Sequence, residues 1–249
     1  MAMDLKELDN APDPARHWYY HAKAALLLRS LRGKTVRHAL DVGAGSGFFS
    51  KTLLERGLIS QAICVDTNYP GDLEERVGNG LVAYRRKAVK TDADLVLMMD
   101  VIEHVEDATG FIRDHAALAG PNATFVLTVP AFSWIYSNHD KFLGHYRRYT
   151  LRELEATARA AGLTVLAGHY YYGSIFPIIA VWRLLDKYLR PERATSDLTT
   201  VTTPLNALLE AVLAAELPLA RFNRLFGVTA VCLAKGPAHQ SLAPADQYP

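Results

Sequence analysis

Little in this 249-residue chain marks it for an oxidising compartment, a membrane or a polyanion. It has only two cysteines, Cys64 and Cys232, each inside an apolar stretch; a disulfide framework is excluded, and both read as small buried residues of a reducing compartment. The formal net charge is +1, from 27 basic and 26 acidic residues, so no global field draws in DNA or RNA and nucleic acid is not an expected partner. We find no run of about eighteen apolar residues suited to spanning a bilayer, so no transmembrane segment is expected. Residues 1–10 alternate acids and bases without the apolar stretch of a secretory leader, which makes the expected location cytoplasmic. What the chain does have is hydrophobic residues, 50% of the total, enough for one α/β domain of ordinary size with a decoration.

The most informative stretch is Ala39-Leu40-Asp41-Val42-Gly43-Ala44-Gly45-Ser46-Gly47-Phe48-Phe49. An apolar run, a glycine-rich turn and an amphipathic segment read as strand, tight loop and helix, in which glycines let backbone approach a ligand closely. A second apolar run, Ala62 to Val65, delivers Asp66, an acceptor suited to a ribose diol. A dinucleotide fingerprint needs its third glycine where this chain has Phe48, which disfavours a nicotinamide oxidoreductase. The Asp-x-Gly-x-Gly-x-Gly spacing instead resembles motif I of the class I S-adenosylmethionine-dependent methyltransferases. That resemblance implies a doubly wound, mostly parallel seven-stranded α/β sheet with an antiparallel last strand. It also implies S-adenosylmethionine as cofactor, held by Asp41, Gly43, Ala44, Gly45, Gly47, Asp66, Thr67, Asp100 and Val101. Trp18, with His17, Tyr19 and His21 on a leading helix, would cover it. Thr91 and Asp92 are the nearest candidates for an adenine contact.

Laid over the hydrophobic periodicity, the resemblance implies a helical cap over residues 1–36, a core over 37–170, a helical insertion over 171–226 and a final strand over 227–236, with a disordered tail expected over 237–249. Asp72 to Val77, after the Pro70-Gly71 turn, reads as a short helix. Within the insertion, 175–189 and 204–226 read as helices joined by a polar linker over 191–203. This insertion is expected to be a lid, a homodimer surface or a peripheral contact with a bilayer.

Chemistry beyond the cofactor rests on two further stretches. Asp100, Glu103 and His104 are spaced to share one face of a helical turn at the tip of the apolar strand 94–99. The Asp-x-x-Glu-His element is similar to the Glu-x-x-Glu-His element of ubiquinone-pathway O-methyltransferases and small-RNA 2′-O-methyltransferases, which implies a divalent metal on Asp100, Glu103 and His104. The shorter Asp100 departs from that pattern, and a loop-ordering or acid–base role for Glu103 and His104 is the alternative. The segment 131–150 then places Trp134, Tyr136, Tyr146, Arg147 and Tyr149 as acceptor-side candidates and His139 and His145 as general bases. Its Gly-His-Tyr-Arg-Arg-Tyr phrase is similar to a widespread bacterial group of class I methyltransferases. The expected activity is methyl transfer to a small hydrophobic or aromatic acceptor, O-methylation first, with N- or C-methylation or a non-catalytic cofactor-binding scaffold as alternatives.

Overall fold

The apolar run Leu95–Met99 forms β5, a strand buried at every residue, as a central parallel strand requires. In the computed structural model, which describes residues 14–189 and 201–238, seven further strands surround it: β1 (His38–Val42), β2 (Gln61–Val65), β3 (Leu73–Val77), β4 (Gly80–Arg85), β6 (Thr124–Pro130), β7 (Thr164–Tyr171) and β8 (Thr229–Lys235). The sheet order is β3-β4-β2-β1-β5-β6-β8-β7. β8 runs antiparallel to both neighbours, β3 antiparallel to β4, and the remaining pairs are parallel. Strand order reverses between β1 and β5, and a crevice at the carboxyl ends of those two strands is where such sheets hold ligands.

Alternation along the strands sends side chains to opposite faces. Leu40, Val96, Met98 and Leu127 pack with α3 (Ala108–Leu118) and α5 (Leu151–Ala160) on one face. Ala39, Leu95, Leu97 and Val126 pack with Leu27 of α1 (Trp18–Ser30) and Leu53 of α2 (Phe48–Glu55) on the other. The insertion forms α6 (Phe176–Leu189) and α7 (Thr203–Ala220), and Tyr172, Ile175 and Leu213 join Ala22 and Leu26 of α1 in a third apolar cluster. A short helix, α4 (Asn138–Leu143), stands in the loop after β6.

One element differs from the sequence reading. Residues 73–77 form an edge strand, not a helix, and raise the sheet to eight strands. Leu and Glu are good helix formers, so local propensity points the wrong way. The signal that decides it is Gly78-Asn79, with Gly78 at φ +57°, a two-residue hairpin turn that pairs Val77 with Gly80.

Among the described residues, α7 alone has the length and mean hydropathy, 1.2, of a membrane span by composition, a feature the sequence reading did not anticipate. At about 1.5 Å per residue it is roughly 27 Å long, near the ~30 Å of a hydrocarbon core. Its acids, however, are tied to the domain: Glu210 accepts from His21 Nδ1 at 2.8 Å, and Glu216 accepts from the amides of Gly173 (2.8 Å) and Ser174 (2.9 Å). Part of the linker expected over 191–203 and most of the tail expected over 237–249 lie outside the described residues.

Candidate active site

The glycine loop leaves β1 with three left-handed glycines, Gly43, Gly45 and Gly47. Gly43 is required twice, by φ +66° and because a Cβ there would meet Val101 Cγ2 at 2.7 Å. Asp41 is buried and accepts from Ser50 Oγ at 2.7 Å, so it ties the loop's entry to α2. Asp66 Oδ1 accepts from the Asn68 amide at 2.9 Å, and Oδ2 lies 3.4 Å from the Gly45 amide. Gly43, Asp66, Thr67, Ala88 and Val101 line a cleft of about 450 Å³, a size and shape for a nucleoside. Ala44 stands beside it, at a narrow gap between the loop and α1.

A second cavity, about 200 Å³, opens on the far side of Asp100 and is lined by Trp18, Tyr19, Glu103, His139, His145, Arg148, Tyr172, Trp182 and Arg183 among others. Asp100 borders this cavity, the cleft and the gap. Its backbone sits at φ +58°, an uncommon conformation for a non-glycine residue that persists where surroundings over-determine it. Its carboxylate is held by Lys23 Nζ, by Tyr19 OH at 2.9 Å and by Thr128 Oγ1 at 3.0 Å. Burial by itself raises the Asp100 pKa, but the Lys23 ammonium and these donors outweigh it and hold the carboxyl below its ordinary value.

His145 is oriented by Asp140. Asp140 Oδ1 accepts from His145 Nδ1 and from Arg148 Nε, both at 2.7 Å, and Oδ2 accepts from the Ser137 amide at 2.8 Å. The Ser137/Asp140 capping box and Gly144, left-handed at the end of α4, set this geometry. With Nδ1 engaged, His145 Nε2 is buried without a hydrogen-bond partner among the described residues, as are both carboxylate oxygens of Glu103. Glu103 is 0% exposed, and burial, followed by the Asp100 charge, pushes its carboxyl well above the ordinary value. The ligand atoms of Glu103, His104 and His145 lie within 4.8 Å of one another.

These placements sort the sequence expectations. Gly43, Asp66, Thr67, Asp100 and Val101 line the cleft, Asp41 and Ala44 line the adjoining gap, and Glu103, His139 and His145 line the second cavity. His104 borders the cleft and stacks edge-on to His145 at 4.6 Å between ring centroids. Trp18, expected over the cofactor, lines the second cavity instead. The aromatic and arginine candidates of the loop fall elsewhere: Trp134 and Tyr146 are exposed, Tyr136 OH donates to the His145 carbonyl, Arg147 donates to the Glu106 carbonyl, and Tyr149 is buried against Ile102. Thr91 and Asp92 lie at the opposite end of the sheet, where Asp92 pairs with His38. The sequence also allows His145 and the arginines to brace the loop by bonding Asp140, and His145 and Arg148 do so; sequence reasoning missed Lys23, Tyr172 and Arg183. A signal existed for Lys23, since it occupies the buried stripe of α1 with Tyr20, Leu26 and Leu27.

Comparison with known proteins agrees with this geometry. A family profile described as a methyltransferase domain matches residues 15–167. A ubiquinone biosynthesis O-methyltransferase of Azorhizobium caulinodans is 28% identical over 195 residues, 68% of this chain and 72% of the relative. A chain in the complex of the Haloferax volcanii Trm112 methyltransferase activator with a methyltransferase superposes with a TM-score of 0.53 at 16% identity, over 90% of this chain and 91% of that one. Haemonchus contortus phosphoethanolamine N-methyltransferase 2, solved with S-adenosyl-L-methionine, gives 0.52 at 15% identity over 88% of this chain and 53% of its own. The chain thus belongs to the methyltransferase-domain family and is an S-adenosylmethionine-dependent methyltransferase.

Proposed function

We propose that the protein methylates a hydroxyl group of a small, apolar or aromatic acceptor held in the 200 Å³ cavity between Trp18, Tyr172 and Glu103. The observation that carries this reading is the Asp140–His145 pair. Asp140 fixes the imidazole of His145, a residue lining the cavity, so that Nδ1 donates to it at 2.7 Å and Nε2 is the ring's proton acceptor. A hydroxyl needs such a base; an amine or an activated carbon needs less help. Bound S-adenosylmethionine supplies the electrophilic methyl group. The chain's own residues orient the acceptor, exclude water and take its proton. The Azorhizobium relative, named for O-methylation in ubiquinone biosynthesis, supports the same reading.

One observation favours a metal-assisted form. Glu103 is buried with two unsatisfied oxygens beside His104 and His145, a donor set that fits a divalent cation. A cation there would lower the pKa of an acceptor hydroxyl, and the Asp140 bond would then orient His145 as a ligand. Asp100, expected as a third ligand, is engaged by Lys23 in this structure.

The partner side of the proposal concerns lipid. Trp182 lines the cavity and is also 55% exposed, at helical spacing from exposed Ile178, Leu185 and Leu189 on an apolar face of α6; Leu208 and Leu219 of α7 are exposed as well. We infer that an apolar acceptor enters across this face from a bilayer surface, although a second copy of the chain covering the same face is the other occupant to test.

Incubation of the protein with a panel of phenols, catechols and amines and a deuteromethyl-labelled cofactor checks the chemistry. The expected product is a labelled methoxy group, and His145→Gln is expected to lower kcat by about 100-fold or more. Label found only on nitrogen or carbon overturns the O-methylation reading. Activity that survives chelation and Glu103→Gln overturns the metal form.

A further inference from the structure

A cavity at the far end of α1 has no part in methyl transfer. α1 and α7 lie side by side and run the same way: Trp18 N donates to Asn206 Oδ1 at 2.9 Å, His21 Nδ1 to Glu210 Oε1 at 2.8 Å, and Arg29 Nη2 to the Pro218 carbonyl at 3.1 Å. Their carboxyl ends therefore meet. There a cavity of about 440 Å³ is lined by Arg29, Arg32, Arg221, His169, Leu217 and Leu233 among others. Arg29 stands about 16 Å along α1 from Trp18 and the acceptor cavity, at ~1.5 Å per residue.

Among the described residues no acid lines this cavity. Elsewhere guanidinium groups find carboxylates: Arg85 meets Asp72 and Glu74, Arg148 meets Asp140, and Arg224 meets Glu155. Arg29, Arg32 and Arg221 meet none among the described residues, and Arg221 instead lies 4.5 Å from the centre of the Phe222 ring. Helix dipoles draw basic residues to carboxyl ends, and Arg29 answers a carbonyl of α7 in this way. Arg32 and Arg221 stand just past the ends of α1 and α7, and their side chains donate to no carbonyl among the described residues. The positive field registers at His169, whose imidazole is pushed down to about 4 by burial and then by Arg224 and Arg29. An anion supplies the charge that the lining lacks.

The same lining says what the anion is attached to. Leu217 and Leu233 give the cavity an apolar wall, and Leu219 and Phe222, on either side of Arg221 in the chain, are exposed. A bare inorganic ion or an RNA backbone uses the arginines and leaves this apolar surface wet, whereas an amphiphile uses both. Guanidinium groups also match phosphate oxygens two at a time. Resting on the lipid contact proposed above, we propose that this cavity is a headgroup site for an anionic phospholipid, with its phosphate on Arg29, Arg32 and Arg221 and its first methylenes against Leu217 and Leu233.

The test uses dihexanoylphosphatidylglycerol, a short-chain lipid that stays monomeric in water, beside phosphatidylglycerol vesicles. Titration with the monomeric lipid is expected to saturate and to shift the NMR signals of the His169 ring, with inorganic phosphate at least about tenfold weaker. Arg32→Gln/Arg221→Gln is expected to weaken the monomeric lipid and the vesicles by about 10- to 30-fold. Arg56→Gln/Arg76→Gln removes the same charge from exposed positions on α2's end and on β3, and is expected to change either by no more than about twofold. Because Arg32 and Arg221 make no ion pair, the first variant should keep its Tm and its rate on a water-soluble acceptor. Inorganic phosphate bound as tightly as the lipid makes this a site for a free anion and overturns the proposal. Equal losses in the two double variants overturn it in favour of diffuse net charge, and capture of a single-stranded RNA without lipid overturns it in favour of nucleic acid. Lipid binding that survives Arg32→Gln/Arg221→Gln overturns the headgroup site and leaves the contact through α6 standing. Binding of neither lipid form by the unaltered protein overturns both.

Discussion

Individual side chains in this protein owe their chemistry to burial more than to type. His139 is an ordinary histidine in sequence, but burial, followed by the neighbouring Arg183 guanidinium, pushes it down to about 3. His169, less buried and close to Arg224 and Arg29, is pushed down to about 4. The unfolded chain takes up these protons near pH 6.5, whereas the folded chain resists them to much lower pH. Between those values the unfolded state binds more protons, so stability falls as pH falls. For a fully buried histidine the loss is on the order of 1.4 kcal/mol per pH unit, and less for the half-buried His169. Thermal melts at pH 7.5 and pH 5 are expected to show a clear drop in Tm for the unaltered protein and a smaller one for His139→Gln. A variant with an undiminished pH dependence would remove His139 from the account. The same contrast between type and surroundings governs what could be read in advance. The places of Asp41, Asp66 and the loop glycines were legible because they follow from spacing within one strand–loop–helix unit. Lys23 and Arg183 were not, since a lysine on α1 and an arginine on α6 meet Asp100 and Asp140 only when distant elements pack.

At the scale of elements, short-range signals placed nearly every strand and helix and failed where pairing outweighs propensity. Thr150 and Glu153, spaced as a capping box, open α5, with Glu153 N bonded to Thr150 Oγ1 at 3.2 Å and Thr150 N to Glu153 Oε2 at 2.7 Å. β3 shows the failure. Its exposed Leu73, Glu74 and Glu75 bury little, and only the hairpin with β4 makes them a strand. The charged residues then serve an edge well, by discouraging further pairing. The junction between α7 and the turn that opens α6 could not be read from sequence at all. Glu216 spans it, accepting from Gly173 N, Ser174 N and Ser174 Oγ. Glu216→Ala leaves two amides without their acceptor and is expected to loosen α6 from the domain. Hydrogen exchange over residues 173–189 should quicken by about tenfold or more, and KM for the acceptor should rise several-fold, while S-adenosylhomocysteine binds as before. Unchanged exchange in that segment would show that apolar packing, not Glu216, holds α6 in place.

The molecule as a whole is built asymmetrically about its sheet. The β3 edge is charged, while the opposite side carries the insertion, and there the large exposed apolar residues concentrate: Ile178 is 73% exposed, Leu189 72%, Leu219 66%, Phe222 69% and Leu225 78%. Scattered exposed leucines need no explanation, but so many on the two helices of one insertion do. Arg29, Arg32 and Arg221 border a cavity beside α7, which brings basic residues to the same side of the molecule. Apolar area plus basic residues is the combination that binds anionic lipid surfaces, each Lys or Arg near the surface adding about 1 kcal/mol. Trp182 connects this face to the acceptor cavity. Co-sedimentation with phosphatidylglycerol vesicles is therefore expected, weakened by salt, and reduced about tenfold or more by Ile178→Glu/Leu185→Glu, two positions outside the cavity lining. That variant should still methylate a water-soluble acceptor at an unchanged rate, because its cofactor cleft and cavity are intact. Should the unaltered protein remain in solution and instead show twice its monomer mass by light scattering, the face is a homodimer surface and the acceptor reaches Trp182 by another route.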